Sequence, residues 1–389
     1  MVKQVVRRNR ADANDVSNDK PIYTLLIDGN SLLKISLVDK RMNGKGEEYG
    51  AIFLFLRQLG NLLQKKDFNH CVCCWDGYNS GILRYNIYKD YKANRDKHYD
   101  MFTGATEYDI KIAEYCKKVL KYHNSKKKET VRVENEDEAF QRQRYILQTI
   151  LENLYVRQFM YDNVEGDDLV ANYVKNKMPN EKVVIVSGDR DLSQLIADDV
   201  CLYIPSLKKF VTPNNSVELL GITHKNVVIE KMLCGDASDN IKGIKGMGKQ
   251  TLFKYFPSIK DVPTSLNSIL ERSEALLEER KVDKKKPLVV LENVLKSITD
   301  GSQGKDIYEI NRKIIDLSEP MLTEEAEQGM KEEMHAPLSP DGRDIKNIYN
   351  IIYENGMSDM LDEHKFGNLF GMYERLIKTE KAYGNEKNR

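Results

Sequence analysis

Asp28, Asp76, Glu165, Asp167, Asp168, Asp189 and Asp191, with Asp236 and Asp239 further along, are the residues whose type and spacing could do chemistry. Carboxylates brought together repel one another, and without compensation several are driven toward the protonated form. A divalent cation removes that penalty. Donors that are all oxygen favour Mg²⁺, with Mn²⁺ as a substitute, over zinc. Two such ions roughly 4 Å apart can clamp the attacking and leaving oxygens of a phosphodiester. Singly, each acid has a plainer reading. Asp28-Gly29 and Asp76-Gly77 are ordinary turn dipeptides, and the acids at 165–168 suit the positive end of a helix. The argument lies in the combination.

Three apolar runs each end in an acidic turn: residues 23–27 before Asp28, 71–75 before Asp76, and 182–186 before Asp189 and Asp191. Continuous apolar strands of this kind belong to parallel sheets covered on both faces. Helical stripes lie between them: Ile52, Phe55, Leu56, Leu59 and Leu63; then Phe140, Leu147, Ile150, Leu151 and Leu154; then Leu169, Val170, Tyr173 and Val174 after the acidic turn. Strand–helix alternation predicts an α/β fold with a mainly parallel sheet. Ligands of such sheets bind beyond the carboxyl ends of the strands, where the aspartates fall. Residues 202–204 and 210–212 read as a hairpin. After Pro213 the β pattern stops, and 227–256 reads as two helices about a glycine-rich turn. Residues 257–389 are helical and charged, with Val289, Val290, Val294, Leu295 and Ile298 as one apolar face.

The glycine-rich turn at 243–248 is the most specific stretch. Gly243, Gly246 and Gly248 let backbone amides approach a phosphate, and Lys242, Lys245 and Lys249 surround them. This is a helix-hairpin-helix pattern, suited to gripping a nucleic-acid backbone without reading bases. Asp236 and Asp239, three apart, are expected on one helical face that reaches the acidic cluster. Upstream, residues 84–95 mix cations with aromatics, among them Arg84, Tyr91, Lys92 and Arg95. Cations can neutralise phosphate there, and tyrosines can stack on unpaired bases. Alone, such a segment is more often a solvated helical face.

Lys plus Arg and Asp plus Glu each number 60, so net charge is zero and the signs are segregated rather than unbalanced. No run is long and apolar enough to span a membrane. The polar first 20 residues lack a secretory core and read as a mobile tail, so an intracellular protein is expected. Of six cysteines, Cys71 and Cys74 have C-x-x-C spacing but no second pair, so structural thiols in a reducing compartment are expected. His70, His98, His123, His224, His335 and His364 are isolated.

Together these motifs resemble the 5′-nuclease superfamily of flap endonucleases and 5′–3′ exonucleases, in look nearest to phage-type ribonuclease H. The resemblance covers residues 22–256. It implies a PIN-like catalytic domain at 21–213, with a helical arch or clamp at about 84–132. A helix-three-turn-helix DNA-binding motif at 214–260 and a helical region at 261–389 complete the expected organisation. It further implies that Asp28, Asp76, Glu165 and Asp167 serve a first metal and that Asp168 lies between the sites. Asp189, Asp191, Asp236 and Asp239 would serve a second. Lys92 and Arg95 would contact the scissile phosphate, and Tyr91 would stack on a base. K⁺ would sit at the 243–248 turn. The partners implied are branched or 5′-ended DNA, RNA–DNA hybrids and replication proteins, met by a monomer with no membrane. Residues 311–317 faintly resemble the segment that follows the DNA-binding motif in the phage ribonuclease H relatives.

Two rivals remain. A PIN-type ribonuclease shares the acidic sheet edge but usually lacks the 243–248 turn. A catalytically inactive DNA-structure binder would not need all nine acids. A haloacid-dehalogenase phosphatase is disfavoured, since Gly29 and Asn30 follow Asp28 where it would need Asp-x-Asp.

Overall fold

A computed structural model describes residues 20–94, 136–296 and 307–387. Six strands, β1 (Ile22–Asp28), β2 (His70–Cys74), β3 (Arg157–Phe159), β4 (Glu181–Val186), β5 (Val200–Ile204) and β6 (Lys209–Val211), form one sheet in the order β3-β2-β1-β4-β5-β6. Neighbours are parallel except β5 and β6, which form the expected hairpin. The three apolar runs are β1, β2 and β4. Edge strand β3 has no such signature, because three residues of sequence Arg-Gln-Phe are too few to show a period.

The chain moves outward from β1 to β2 and β3, then returns to place β4 on the other side of β1. The strand order therefore reverses at β1/β4, where a crevice opens beyond the carboxyl ends. Helices α1 (Gly29–Ser36), α2 (Gly50–Leu63), α3 (Ile82–Ile87), α4 (Glu136–Asn153) and α5 (Gly166–Asn176) lie between the strands. The α2 stripe of Ile52, Phe55, Leu56, Leu59 and Leu63 is buried with Leu25, Ile27 and Trp75 on one face of the sheet. Leu169, Val170 and Tyr173 of α5 cover the other face, against Leu26, Val72 and Ile185. Three acids, Glu136, Asp137 and Glu138, occupy the first turn of α4 and favour its positive end.

Beyond the sheet come α6 (Ser216–Leu220), α7 (Val227–Cys234), a two-stranded hairpin of β7 (Gly235–Asp236) and β8 (Ile241–Lys242), and α8 (Lys249–Tyr255). The two helices expected around the glycine-rich turn are thus present, with a β-hairpin inserted before the turn. Helices α9 (Leu266–Val282), α10 (Val289–Lys296), α11 (Ile307–Ile315), α12 (Glu324–Glu333), α13 (Ile345–Glu354), α14 (Glu363–Phe370) and α15 (Glu374–Lys387) follow. The buried face of α10 is Leu291 and Val294, whereas Val289, expected inside, is 65% exposed. Ile298 lies outside the described residues.

The C-terminal helices are shared among three cores. α9, α10 and α11 join α7 and α8. Ala326, Met330 and Met334 join the α5 face. Ile348, Ile352, Leu369, Phe370 and Tyr373 complete the α2 face, where the Tyr373 hydroxyl donates to the Leu56 carbonyl at 2.6 Å. Helices α12 to α15 are thus part of the packing on the sheet. Phe370→Ala is expected to cost about 3 kcal/mol, the usual loss for emptying a buried aromatic site. Urea unfolding checks this, and an unchanged midpoint would show that α14 does not complete the core.

Candidate metal centre

Asp28 is both the last residue of β1 and the N-cap of α1. Its Oδ1 accepts from the Ser31 amide at 3.0 Å, and its Oδ2 accepts from Ser187 Oγ, just past β4, at 2.7 Å. Ser187 Oγ also accepts from the Asp189 amide at 2.8 Å, and Ser31 Oγ accepts from the Gly188 amide at 3.0 Å. The β1 and β4 acidic turns are thus laced together across the crevice. Asp76, past β2, accepts from Asn30 Nδ2 at 2.7 Å and from the Gly166 amide at 2.8 Å, which fixes it between α1 and the start of α5.

Asp167 lies in the first turn of α5. Burial first, then the charges of Asp28, Asp189, Asp76 and Glu165, push its pKa well above the usual carboxylate range. Burial likewise raises Asp28 to about 7, against the bonds from Ser31 and Ser187, with Asp76 and Asp189 adding repulsion. Acids from β1, β2, β4 and α5 therefore meet at one rim.

The remaining acids are met by cations of the protein. Burial would raise Glu165, but Lys92 and Arg84 hold it down at about 2, and the Tyr91 hydroxyl donates to it at 2.9 Å. Asp191 is raised to about 6 by burial and by Asp189, partly offset by Lys231. Lys231 of α7 bridges Asp191 and Asp236. Among the described residues no group of three or more His, Cys, Asp or Glu side chains stands arranged to hold a metal ion. Lysines and an arginine neutralise several of the carboxylates. The donors are nonetheless all oxygen, and Asp28 and Asp167 carry the uncompensated repulsion that a divalent ion relieves.

Several expectations need correction. Arg84, expected to face nucleic acid, is 5% exposed. Its Nη1 donates to Glu165 at 2.7 Å, its Nη2 to Asp168 at 2.9 Å and its Nε to the Ile314 carbonyl at 2.9 Å. It holds the site from behind. Asp168, expected between two metals, is spent on Arg84 and the Met321 amide. Tyr91, expected to stack on a base, is 2% exposed because its ring belongs to the α7–α8 core. Asp236 and Asp239 share no helical face: Asp236 is in β7 and Asp239 in the turn that follows, since glycine at 235 ends α7. Asp239 still reaches the site, with its Oδ2 3.4 Å from the Tyr91 hydroxyl and its carbonyl accepting from the Lys92 amide at 2.9 Å. Arg95 and the 95–132 part of the expected 84–132 arch lie outside the described residues.

In the glycine-rich turn, Gly243 is needed for packing. A Cβ there would meet the backbone of Cys234 at 2.2 Å and of Gly235 at 2.4 Å, so this glycine seats the turn on the end of α7. Gly246 takes φ +85°, and Gly248 caps α8. The Lys245 carbonyl accepts from Asn293 at 3.0 Å, Lys242 is 4.0 Å from Asp90, and Lys249 pairs with Glu230 at 2.5 Å. Asn30, Ser31, Ser187 and Lys231 were not distinguishable as site residues by type. Polar residues two and three places after a strand-end acid, as in Asp28-Gly29-Asn30-Ser31, were the available signal. The cysteines of β2 are buried free thiols, as expected of structural ones.

Residues 23–231 match the family model described as the 5′–3′ exonuclease, N-terminal resolvase-like domain. The match covers more than half of the chain, which belongs to this family. The 5′–3′ exonuclease of Mycoplasma pneumoniae is 26% identical over 275 residues, spanning 68% of this chain and 80% of that protein. DNA polymerase I of Bacillus subtilis is 24% identical over 284 residues, spanning 71% of this chain. The match takes in 28% of that polymerase, so this chain spans about a quarter of its length. A structure of T5 5′-exonuclease with bound divalent zinc has a similar fold, with a TM-score of 0.51 at 14% identity, covering 92% of this chain and 99% of that one.

Two consequences can be measured. Folded Asp28 keeps its proton up to about pH 7, whereas the unfolded carboxyl releases it near 3.8. Native protein thus binds more protons in that window, and stability falls as pH rises through it. In EDTA, Asp28→Asn is expected to gain stability over the parent at pH 8 and to lose that advantage toward pH 4. Thermal unfolding at both pH values decides; equal differences would exclude a buried, repelled carboxylate. Arg84→Leu should cost about 3–5 kcal/mol, because it strands two buried acids. A surface cation would cost under about 1 kcal/mol.

Proposed function

We propose that this chain is a divalent-metal-dependent 5′-nuclease that hydrolyses phosphodiester bonds in branched or 5′-ended DNA, RNA–DNA hybrids included, acting as a monomer beside replication proteins. Membership of the 5′–3′ exonuclease family supports the reaction class. The observation that carries the site is the lacing of the β1 and β4 acidic turns through Ser187 at the point where strand order reverses.

Asp28, Asp76, Glu165 and Asp167 would hold a first Mg²⁺, and Asp189, Asp191, Asp236 and Asp239 a second, some through water; Mn²⁺ suits the same donors. Bound there, the ions supply charge neutralisation at the phosphodiester and acidify water. The protein supplies the rest. Asn30 and the Gly166 amide orient Asp76; Ser31 and Ser187 orient Asp28. Lys92 sits at φ +54° with its amide tied to Asp239, which aims its ammonium at Glu165. Glu165 would hold the metal, and the Lys92 ammonium now paired with it would then serve a phosphate oxygen. Arg84 stays behind as the permanent partner of Asp168. Asp168 is therefore a support of the site, and we assign it no metal. Lys242, Lys245 and Lys249, with the turn at 243–248 and K⁺, would hold duplex backbone, and Arg95 would join Lys92 at the phosphate.

A labelled 5′-flap duplex incubated with Mg²⁺ and with EDTA tests the reading. Cleavage is expected in Mg²⁺ alone, nearly abolished by Asp189→Asn while binding persists. Lys92→Ala should slow cleavage about a hundredfold, the scale for loss of one charge-stabilising group, with little change in Kd. EDTA-resistant cleavage, or full activity of Asp189→Asn, would overturn the metal assignment.

A further inference from the structure

Residues in register on neighbouring strands share a face of the sheet. Tyr23 pairs with Lys182, Val184 with Cys201, and Tyr203 with Phe210, so a diagonal row on one face steps across β1, β4, β5 and β6 at three successive levels. Tyr23, Val184 and Tyr203 border the α2 core, which places the row on that face. Its cover thins toward β6. Lys182 is exposed, Val184 and Cys201 are half-buried, Phe210 is 38% exposed, and Leu207 in the β5–β6 turn is 41% exposed.

Cations line this row. Lys66 Nζ sits 3.5 Å from the Tyr23 ring centroid, and Lys65 Nζ lies 5.4 Å from that of Tyr203 and 5.9 Å from that of Phe210. The Tyr203 and Phe210 rings are 4.9 Å apart. Lys208 ends the adjoining turn and Lys209 begins β6. The acids close by are occupied: Glu218 is 3.9 Å from Lys209, Asp67 pairs with Arg375, and Asp199 pairs with Lys177. The row also begins at the carboxylate site, since the Ser187 amide donates to the Tyr203 carbonyl at 3.2 Å while its hydroxyl holds Asp28.

We propose that this lysine and aromatic row on the half-covered face of β4, β5 and β6 is a second nucleic-acid contact, binding an unpaired strand that runs away from the carboxylate site. The proposal rests on the reading of the chain as a DNA-cutting enzyme. The lysine ammonium groups themselves lie over the rings and cover them. An arriving phosphate draws Lys65 off the rings, and an unstacked base takes its place on Phe210. A duplex hides its base faces, whereas each nucleotide of an unpaired strand brings a phosphate and a flat ring together, so an unpaired strand fits both halves of the row.

The test measures Kd by fluorescence anisotropy in EDTA, over a range of KCl. The substrates are a nicked duplex without arms and the same duplex with a single-stranded arm at the 5′ or the 3′ end. The triple variant Lys65→Ser, Lys66→Ser, Lys182→Ser is expected to bind an armed duplex about tenfold more weakly, and its salt slope should fall by about 2. Phe210→Ser should weaken the same substrate about tenfold with an unchanged slope, as lost stacking does. Both variants should bind and, in Mg²⁺, cut the armless duplex as the parent does. Unchanged affinity and slope on both armed duplexes would overturn the platform and leave the row to an acidic protein. Should the parent neither bind nor cut any of these DNAs, the enzyme reading fails as well; a parent that cuts, with unaffected variants, condemns the platform alone.

Discussion

The repulsion among carboxylates crowded at the β1/β4 crevice is the constraint around which the rest of the structure is arranged. Asp28 and Asp167 are buried beside each other and beside Asp76 and Asp189, and burial alone drives them toward protonation. Hydrogen bonds from Ser31 and Ser187 to Asp28, and from Asn30 and the Gly166 amide to Asp76, set positions at the rim but do not cancel its charge. Cancellation comes from cations. Arg84, Lys92 and Lys231 provide it within the chain for Glu165, Asp168, Asp191 and Asp236. A divalent ion would provide it for the others. A charge-dense site of this kind is costly for folding and useful for binding a metal and a phosphate.

That cost explains how much scaffolding surrounds the rim. The C-terminal third reaches the site from behind: the Ile314 carbonyl accepts from Arg84, and the Met321 amide donates to Asp168. Asn311 donates to the carbonyls of Met232 and Lys242, joining α11 to α7 and the β-hairpin that carries Asp236. The segment at 311–317, noticed only as a faint likeness, is therefore a brace for the acidic cluster. α13, α14 and α15 meanwhile close the opposite core on α2. A rigid sheet gripped on both faces keeps the acidic turns from relaxing apart.

What the sequence by itself determined was the sheet and the rim. Continuous apolar runs at 23–27, 71–75 and 182–186, each ending in an acid, are readable because a buried parallel strand must be apolar on both faces. The acids past their ends then had to share an edge. The hairpin, read at 202–204 and 210–212, and the helices flanking 243–248 were legible from turn residues for the same local reasons. What only the tertiary structure decided was which charges face each other. Arg84 and Tyr91 look like a surface strip beside their cationic neighbours, yet they turn inward, Arg84 to Glu165, Asp168 and the Ile314 carbonyl and Tyr91 into the α7–α8 core. Lys231 is one lysine among many until α7 sets it between Asp191 and Asp236. β3 and the β7–β8 hairpin are too short to carry a period of their own. Pairings between residues a hundred positions apart leave no local trace, because their energy exists only once the chain has folded.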